Sequence, residues 1–480
     1  MTNLNNQVKS ATKWSALTEI ASKLISPIST IVLARLLTPD AFGVLVTATM
    51  VISFAEIFTD AGFQKYLIQH NFDDEDSLYK STSVAFWSNF ILSLFIWIII
   101  ALFSSQLAYL VGNEGCGLVI TISCICIPLA AFSSIQMALF KRNLDFRTLF
   151  LVRIIGILIP LIITIPLAFA TKSYWSLIIG MITLNLCNAI VLTWKSSWKP
   201  RWFYSGKLFR KMFSFSMWSM VESITIWLTS YIDIFIVGTI LSTHYMGIYR
   251  TSMTTVGQIM GIITAATTPV LFSALSRLQD DDQEFKRMFF RFQKIVGIIV
   301  FPLGIGIFLF RDLITSIILG EQWHEASYMI GWWGLTSAIT IVLAHYCSEV
   351  YRAKGKPKYS VIAQVIHIGF LVPIVLISIN YGFEALSLWR SLARLTLIAI
   401  NLYLLYRLVK ISPLDMVRNI SHIVVASAIM LTVFFLLPTV GGLLMQCLYA
   451  LLCAIVYLAS VFAFKSEREV LHIIRSLIIK

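Results

Sequence analysis

About 14 predominantly apolar blocks, each roughly 20 residues or longer, succeed one another from residue 13 to residue 464, the length an α-helix needs to cross roughly 30 Å of hydrocarbon. A helix satisfies its own backbone hydrogen bonds inside lipid, whereas barrel strands would be half as long and would alternate in polarity. The pattern therefore predicts an all-α polytopic membrane protein. Its spans fall near 13–36, 42–63, 82–110, 117–140, 148–170, 174–194, 212–241, 246–275, 295–319, 327–351, 359–379, 383–406, 421–437 and 441–464. They are numbered 1 to 14 below. With 58% hydrophobic and 13% charged residues among 480, the chain carries more apolar surface than one soluble core could hide.

The start, MTNLNNQVKSATKW, is polar and lacks a compact apolar run before a small-residue cleavage site, so no removable signal peptide is expected. The seven cysteines lie mostly inside apolar blocks, with neither a disulfide framework nor a zinc spacing.

The formal net charge of +13 acquires meaning from its placement. KRNLDFR, KSSWKPRWFYSGKLFRK, RLQDDDQEFKRMFFRFQK, RAKGKPK and RLVKISPLDMVR fall on one side of the membrane, together with both termini. On the other side LTPD, VGNEGCG, TKS, LSTHYMG, GEQWHEAS, NYGFE and PTVGG contain Lys172 alone, with Arg35 and Arg311 at their edges. Basic loops resist translocation, so both termini are expected in the cytoplasm. Positive charge spread over short loops without a folded module argues against nucleic acid as a partner. Loops of at most about 20 residues leave no room for an extramembrane catalytic domain, and the chain is not expected to be an enzyme.

Slid by 204 positions, KWSALTEIASKLISPISTIVLARLLTPDAFGVL lies without gaps on MWSMVESITIWLTSYIDIFIVGTILSTHYMGIY. Trp14 meets Trp218, Ser26 meets Ser230 and Gly43 meets Gly247. An even number of spans separates the copies, so the two halves share one orientation and should be related by an axis along the membrane normal. The resulting organisation is an N-terminal lobe at 1–195, a basic cytoplasmic linker at 196–211, a C-terminal lobe at 212–406, and a C-terminal helix pair with a tail at 407–480.

Asp233 stands in an otherwise apolar segment, IWLTSYIDIFIVGTIL, where a carboxylate is costly and marks a functional position by default. At 100° per residue it shares a narrow stripe with Ser219, Glu222, Thr229 and Ser230. Span 1 carries a matching stripe of Ser15, Glu19, Ser22, Ser26 and Ser29, and Ser29 holds the repeat position of Asp233. Span 2 adds Thr49, Ser53, Glu56 and Asp60, and span 8 adds Arg250, Thr254 and Gln258. Polar stripes on four spans, two per half, are expected to line a water-filled cavity between two lobes. For any single Ser or Thr, a hydrogen bond inside a packed bundle is the simpler explanation, whereas for the ionisable residues together the cavity is.

At KWSAL, LARLLTPDAFG, DAGFQKYLIQ, DIFIVGTILSTHYMGIYR and LFSALSRLQDDDQEFKRMFFRFQKIVGIIVFPLGIGIFLF followed by GEQW, the chain resembles bacterial polysaccharide flippases of the O-antigen, colanic acid and teichuronic acid type, within the multidrug, oligosaccharidyl-lipid and polysaccharide exporter superfamily. Asp233, Gly238, Gly247 and Tyr249 match the family pattern, while Ser242 and Arg250 depart from it. The resemblance implies two six-helix lobes plus a helix pair. It also implies a task, translocation of undecaprenyl-pyrophosphate-linked oligosaccharide by alternating access for O-antigen, capsule or exopolysaccharide synthesis. The implied partners are that lipid-linked substrate and membrane lipids, with a polysaccharide polymerase and a chain-length regulator as protein partners. No cofactor is implied, and coupling to an H+ or Na+ gradient stays open.

A pyrophosphate requires cations, and Lys23, Arg250, Arg390 and Arg394 are the candidates at membrane depth, with Arg153 nearer the cytoplasmic end. Lys23 could equally pair with Glu19, one turn away. With Glu56, Asp60, Glu222 and Asp233 these cations make the expected cavity set. His345 and Glu349 share a helix face and are expected to form a hydrogen-bonded pair or a proton relay. An ion-coupled multidrug exporter is the competing reading within the same fold, but its cavity should be dominated by acids and aromatics. A membrane polysaccharide polymerase would need a long outer loop.

Overall fold

The computed structural model describes residues 2–60, 62–438 and 442–464, with backbone alone at Glu222 and at a few positions within 2–16 and 215–219. Every regular element among the described residues is helical. Thirteen helices are long and apolar enough to cross a membrane, and the pair Pro413–Asn419 and Ser421–Leu436, bent by 55°, makes a fourteenth. Each coincides with one expected span. This is a multi-pass, all-α membrane protein.

The differences lie at helix ends, and local chemistry explains them. Span 2 stops at Asp60, and Gly62 adopts a left-handed φ of 76° before a separate short helix, Phe63–Gln69. A side chain at that φ is disfavoured, so the glycine sets the corner. Span 3 starts earlier than its apolar run, because Asp74 caps it by accepting from the Ser77 N–H at 2.7 Å and Glu75 and Asp76 fill the first turn. Asp281 caps span 9, Asp282–Leu309, in the same way through the N–H groups of Gln283 and Glu284. Beyond Phe310 that span gives way to a second helix, Arg311–Ile318.

The chain divides into two compact units, Met1–Arg250 and Thr251–Lys480. In the first, a core of Phe63, Tyr66, Leu67, Phe86, Ile135 and Trp198 fixes the basic linker as a strap. Tyr79 donates to the carbonyl of Lys199 and the Trp87 indole to that of Arg201, both at 2.9 Å. Arg142 closes the Phe63–Gln69 helix by donating to the carbonyls of Leu67 and His70, a cation at a helix C-terminus. Burial, with Lys211 and Arg142 alongside, holds the His70 imidazole below its ordinary pKa.

In the second unit, small residues bring spans 9 and 10 together. A Cβ on Gly304 would stand 2.3 Å from that of Ala338, and one on Gly334 would stand 2.4 Å from Ile307 Cγ2. Helices in lipid associate by such close approach, since apolar burial offers no advantage there. A satellite core of Phe310, Met430, Cys453 and Tyr457 ties spans 13 and 14 to span 9, with Tyr457 donating to the Ile298 carbonyl at 2.8 Å.

Candidate functional site

The repeat is visible in the packing of the first unit. A Cβ on Gly43 would lie 2.0 Å from the carbonyl oxygen of Thr243, and one on Gly247 would lie 2.0 Å from that of Pro39. Pro39 and Thr243 are themselves one repeat apart, so the two contacts are reciprocal. The hairpin tip of spans 1 and 2 meets its equivalent from spans 7 and 8 backbone to backbone.

Below this tip, Asp233 is buried at 2% exposure and accepts from the Tyr249 hydroxyl at 2.8 Å. The two residues carrying the polar end of the family pattern are therefore one hydrogen-bonded pair joining spans 7 and 8. Tyr231, two residues before Asp233, stacks on Trp227, whose indole donates to Ser53 of span 2 at 3.0 Å. The Arg250 guanidinium lies 5.4 Å from the Tyr231 ring, within the range of a cation–π contact. The structure thus brings Asp233 and Arg250 to one helix pair. The side chain of Glu222 lies outside the described residues.

The polar stripe of span 1 lines a cleft of about 630 Å³ inside the first unit. Ser15, Glu19, Ser26 and Ser29 form one wall, and spans 4, 5 and 6 supply the others through Lys141, Arg153 and Asn188. Ser22 takes a hydrogen bond from Arg153 Nε at 3.2 Å. Ser29 is 5% exposed, and its Oγ has no hydrogen-bond partner among the described residues, an omission that costs about 1–3 kcal/mol when nothing fills it. Lys23 is half-buried on the same helix but does not line the cleft, and no ion pair joins it to Glu19 among the described residues. On span 2, Glu56 and Asp60 are half-buried neighbours, and Asp60 is within electrostatic reach of Lys141 and Lys65.

In the second unit Arg390 and Arg394 share one aromatic ring. Their guanidinium carbons lie 4.9 and 4.1 Å from the centroid of Trp333 on span 10. Arg394 also donates to the hydroxyl of Ser337, one turn further along that span. The one-turn spacing of the arginines becomes a two-cation clamp on an indole, with Arg390 at 7% exposure.

His345 and Glu349 do not form the expected pair. The helix breaks at Tyr346, between the π-helical turn Ile341–His345 and the helix Cys347–Ala353, so the spacing of four no longer places the two on one continuous helix face. Glu349 instead pairs with Arg352 and accepts from Ser348 at 3.3 Å, while His345 lies 3.4 Å from the Thr268 hydroxyl.

Three polar participants escaped the sequence reading, Lys141, Asn188 and Trp333. Lys141 counted only as a loop charge, and Asn188 and Trp333 sit singly in apolar runs. Their roles come from which spans pack together, for which periodicity along one helix carries no signal.

The chain is 24% identical over 371 residues to an uncharacterized membrane protein in the cps region of Klebsiella pneumoniae, covering 77% of this chain and 76% of that one. It is 21% identical over 358 residues to the teichuronic acid biosynthesis protein TuaB of Bacillus subtilis (strain 168), with coverage of 74% and 73%. Among solved structures it is similar to the lipid II flippase MurJ in an inward closed conformation, with a TM-score of 0.75, 15% identity, and coverage of 94% and 98%. At that identity the likeness is one of fold. Residues 32–328, more than half of the chain, match the polysaccharide biosynthesis protein family, and the chain belongs to that family.

Proposed function

We propose that this protein is a flippase that carries undecaprenyl-pyrophosphate-linked oligosaccharide from the cytoplasmic to the outer leaflet of the bacterial cytoplasmic membrane by alternating access, for surface polysaccharide synthesis. The observation that carries this reading is the Arg390–Trp333–Arg394 clamp. The Arg394 guanidinium, held at membrane depth beside Arg390 on the same indole, creates a strong demand for an anion. For Arg394 the partners within the protein, an indole face and a hydroxyl, are neutral. Pyrophosphate supplies the charge and the several acceptor oxygens that forked donors match. The glycan's hydroxyls need polar walls, because each is costly to strip of water, and the lipid tail remains in the bilayer.

In this reading the moving bodies are 1–195 and 212–406, with 196–211 as the cytoplasmic linker and 407–480 as the appended helix pair and tail. Both termini lie in the cytoplasm. A polysaccharide polymerase and a chain-length regulator act on the product at the outer face. Ligand binding shifts such a two-state equilibrium only by its difference in affinity between the states, so the clamp must meet its anion better in one of them.

The test is surface glycan in a strain that lacks this chain, restored by the wild-type protein and by an Arg390→Gln/Arg394→Gln variant at equal membrane level. Wild type restores the glycan and the double variant does not, each lost charge-assisted hydrogen bond being worth about 1.5–3 kcal/mol. Export at wild-type level by the double variant removes the clamp from the pathway.

A further inference from the structure

We infer that the cleft beside span 1 is a sugar subsite. It receives the part of the glycan next to the phosphate in the state in which the Arg390–Trp333–Arg394 clamp does not hold that phosphate, while Arg153 and Lys141 hold it at the cleft's mouth. The inference rests on the flippase reading and adds the place and the residues of glycan recognition.

Size and chemistry both fit. About 630 Å³ is within the usual range of small-ligand sites. The charged residues gather at one end: Lys141 is in the last turn of the helix Cys126–Arg142, Arg153 lies two turns into the helix Phe146–Ile159, and Glu19 is on the facing part of span 1. Ser26, Ser29, Thr30 and Asn188 supply the polar groups of the remainder, set among apolar side chains such as Leu149, Ile157 and Leu184. A ligand matching this gradient has an anion at one end and neutral hydroxyls beyond it, which describes a glycosyl phosphate. Glu19 accepts hydroxyl or amide protons from the sugar.

Two further observations point to a ligand. Among the described residues the only hydrogen bond of Arg153 runs from Nε to Ser22, which fixes the side chain and leaves both terminal nitrogens to donate. Ser29 Oγ is buried in the cleft wall without a partner. Its repeat equivalent, Asp233, meets the Tyr249 hydroxyl, but the equivalent of Tyr249 is Leu45, which has no hydroxyl to offer. The second copy closes this position internally, and the first leaves a polar group waiting. Pro160, at the far end of the cleft, opens a π-helical turn, a deviation frequent at functional sites.

The experiment uses the full chain in the deletion strain. Ser29→Phe fills the cleft, and Arg153→Gln removes the charge at its mouth. Each is expected to reduce surface glycan by about tenfold or more at equal membrane level, with Arg153→Lys recovering part of the loss. Normal export by Ser29→Phe overturns the inference while leaving the flippase reading intact, because wild-type complementation tests that separately. Should Ser29→Phe not accumulate, Ser29→Cys decides. In inverted vesicles a cationic thiol reagent should modify the thiol of that variant, read by peptide mass spectrometry so that native cysteines do not interfere. UDP-glucose, a soluble glycosyl pyrophosphate, should slow that reaction more than inorganic pyrophosphate does. An unreactive thiol in Ser29→Cys, or equal protection by the two probes, overturns the sugar assignment.

Discussion

Asp40 and His244 occupy the same position in the two copies of the repeat, and they touch: His244 Nδ1 lies 3.1 Å from Asp40 Oδ2. A residue in contact with its own equivalent lies on the axis that relates the copies, by the same logic that makes a two-fold interface isologous. The Gly43 and Gly247 contacts flank this pair. The duplication is thus visible at the hairpin tips, where two copies of one segment meet as partners with complementary chemistry, carboxylate against imidazole.

Backbone contact at this tip leaves no room for a side chain. Gly247→Val would push Cβ into the Pro39 carbonyl at 2.0 Å, and Gly43→Val should act in the same way on Thr243. Each variant is expected to lose at least about 1–3 kcal/mol, the usual effect of overpacking, and to show a lower melting temperature in detergent. Gly257 is the control, since a Cβ there meets nothing within 4 Å, and Gly257→Ala should melt like wild type. Equal melting of all three variants would deny the close approach.

If the outer tips part when the protein opens outward, tying them together should stop transport. Asp40→Cys/His244→Cys, joined by a short bifunctional thiol reagent, is expected to lose export, while each single variant treated alike keeps it. A cross-linked protein that still exports would show that this contact need not break.

How much of this was legible beforehand depended on the range of the signal. The spans and the repeat were readable because apolar length and a fixed offset are properties of the chain alone. The break at Phe310 was not legible, because the residues beyond it read as a continuation of span 9, and the helix Phe63–Gln69 was not, because FQKYLIQ is too short and polar to count as a span, although Gly62 is itself a recognisable corner residue. The His345–Glu349 expectation failed on a break at Tyr346, after a π-helical turn, which interrupts the helix without changing composition. The span 1 stripe was legible as a polar face, but the identity of its partners, Lys141, Arg153 and Asn188, depends on packing.

Orientation is testable at exposed positions. A reporter active only outside the cytoplasm should be silent after Tyr204, an exposed residue of the strap, and after Lys480. It should be active between His324 and Glu325, both exposed, rather than beside the fully buried Trp323. The basic-loop asymmetry carries this expectation, and activity after Tyr204 would reverse the topology.

The Asp233–Tyr249 pair separates charge from hydrogen bonding. Asp233→Asn keeps the volume and an oxygen able to accept from Tyr249, so the variant should insert and reach normal levels. It loses the negative charge, and with it about 1 kcal/mol, the difference between a charge-assisted and a neutral hydrogen bond. If the carboxylate orients a cation or carries a proton during the cycle, export should fall sharply. Tyr249→Phe has the opposite profile, keeping the charge but removing a donor from a carboxylate residue only 2% exposed, so its first effect should be on stability. Asp233→Leu separates a third case, because a charge that was merely tolerated would give a more stable protein that still exports. Surface glycan normalised to membrane protein level, with a melting curve for each variant, distinguishes the three. Wild-type export by Asp233→Asn would reduce Asp233 to a structural acceptor for Tyr249.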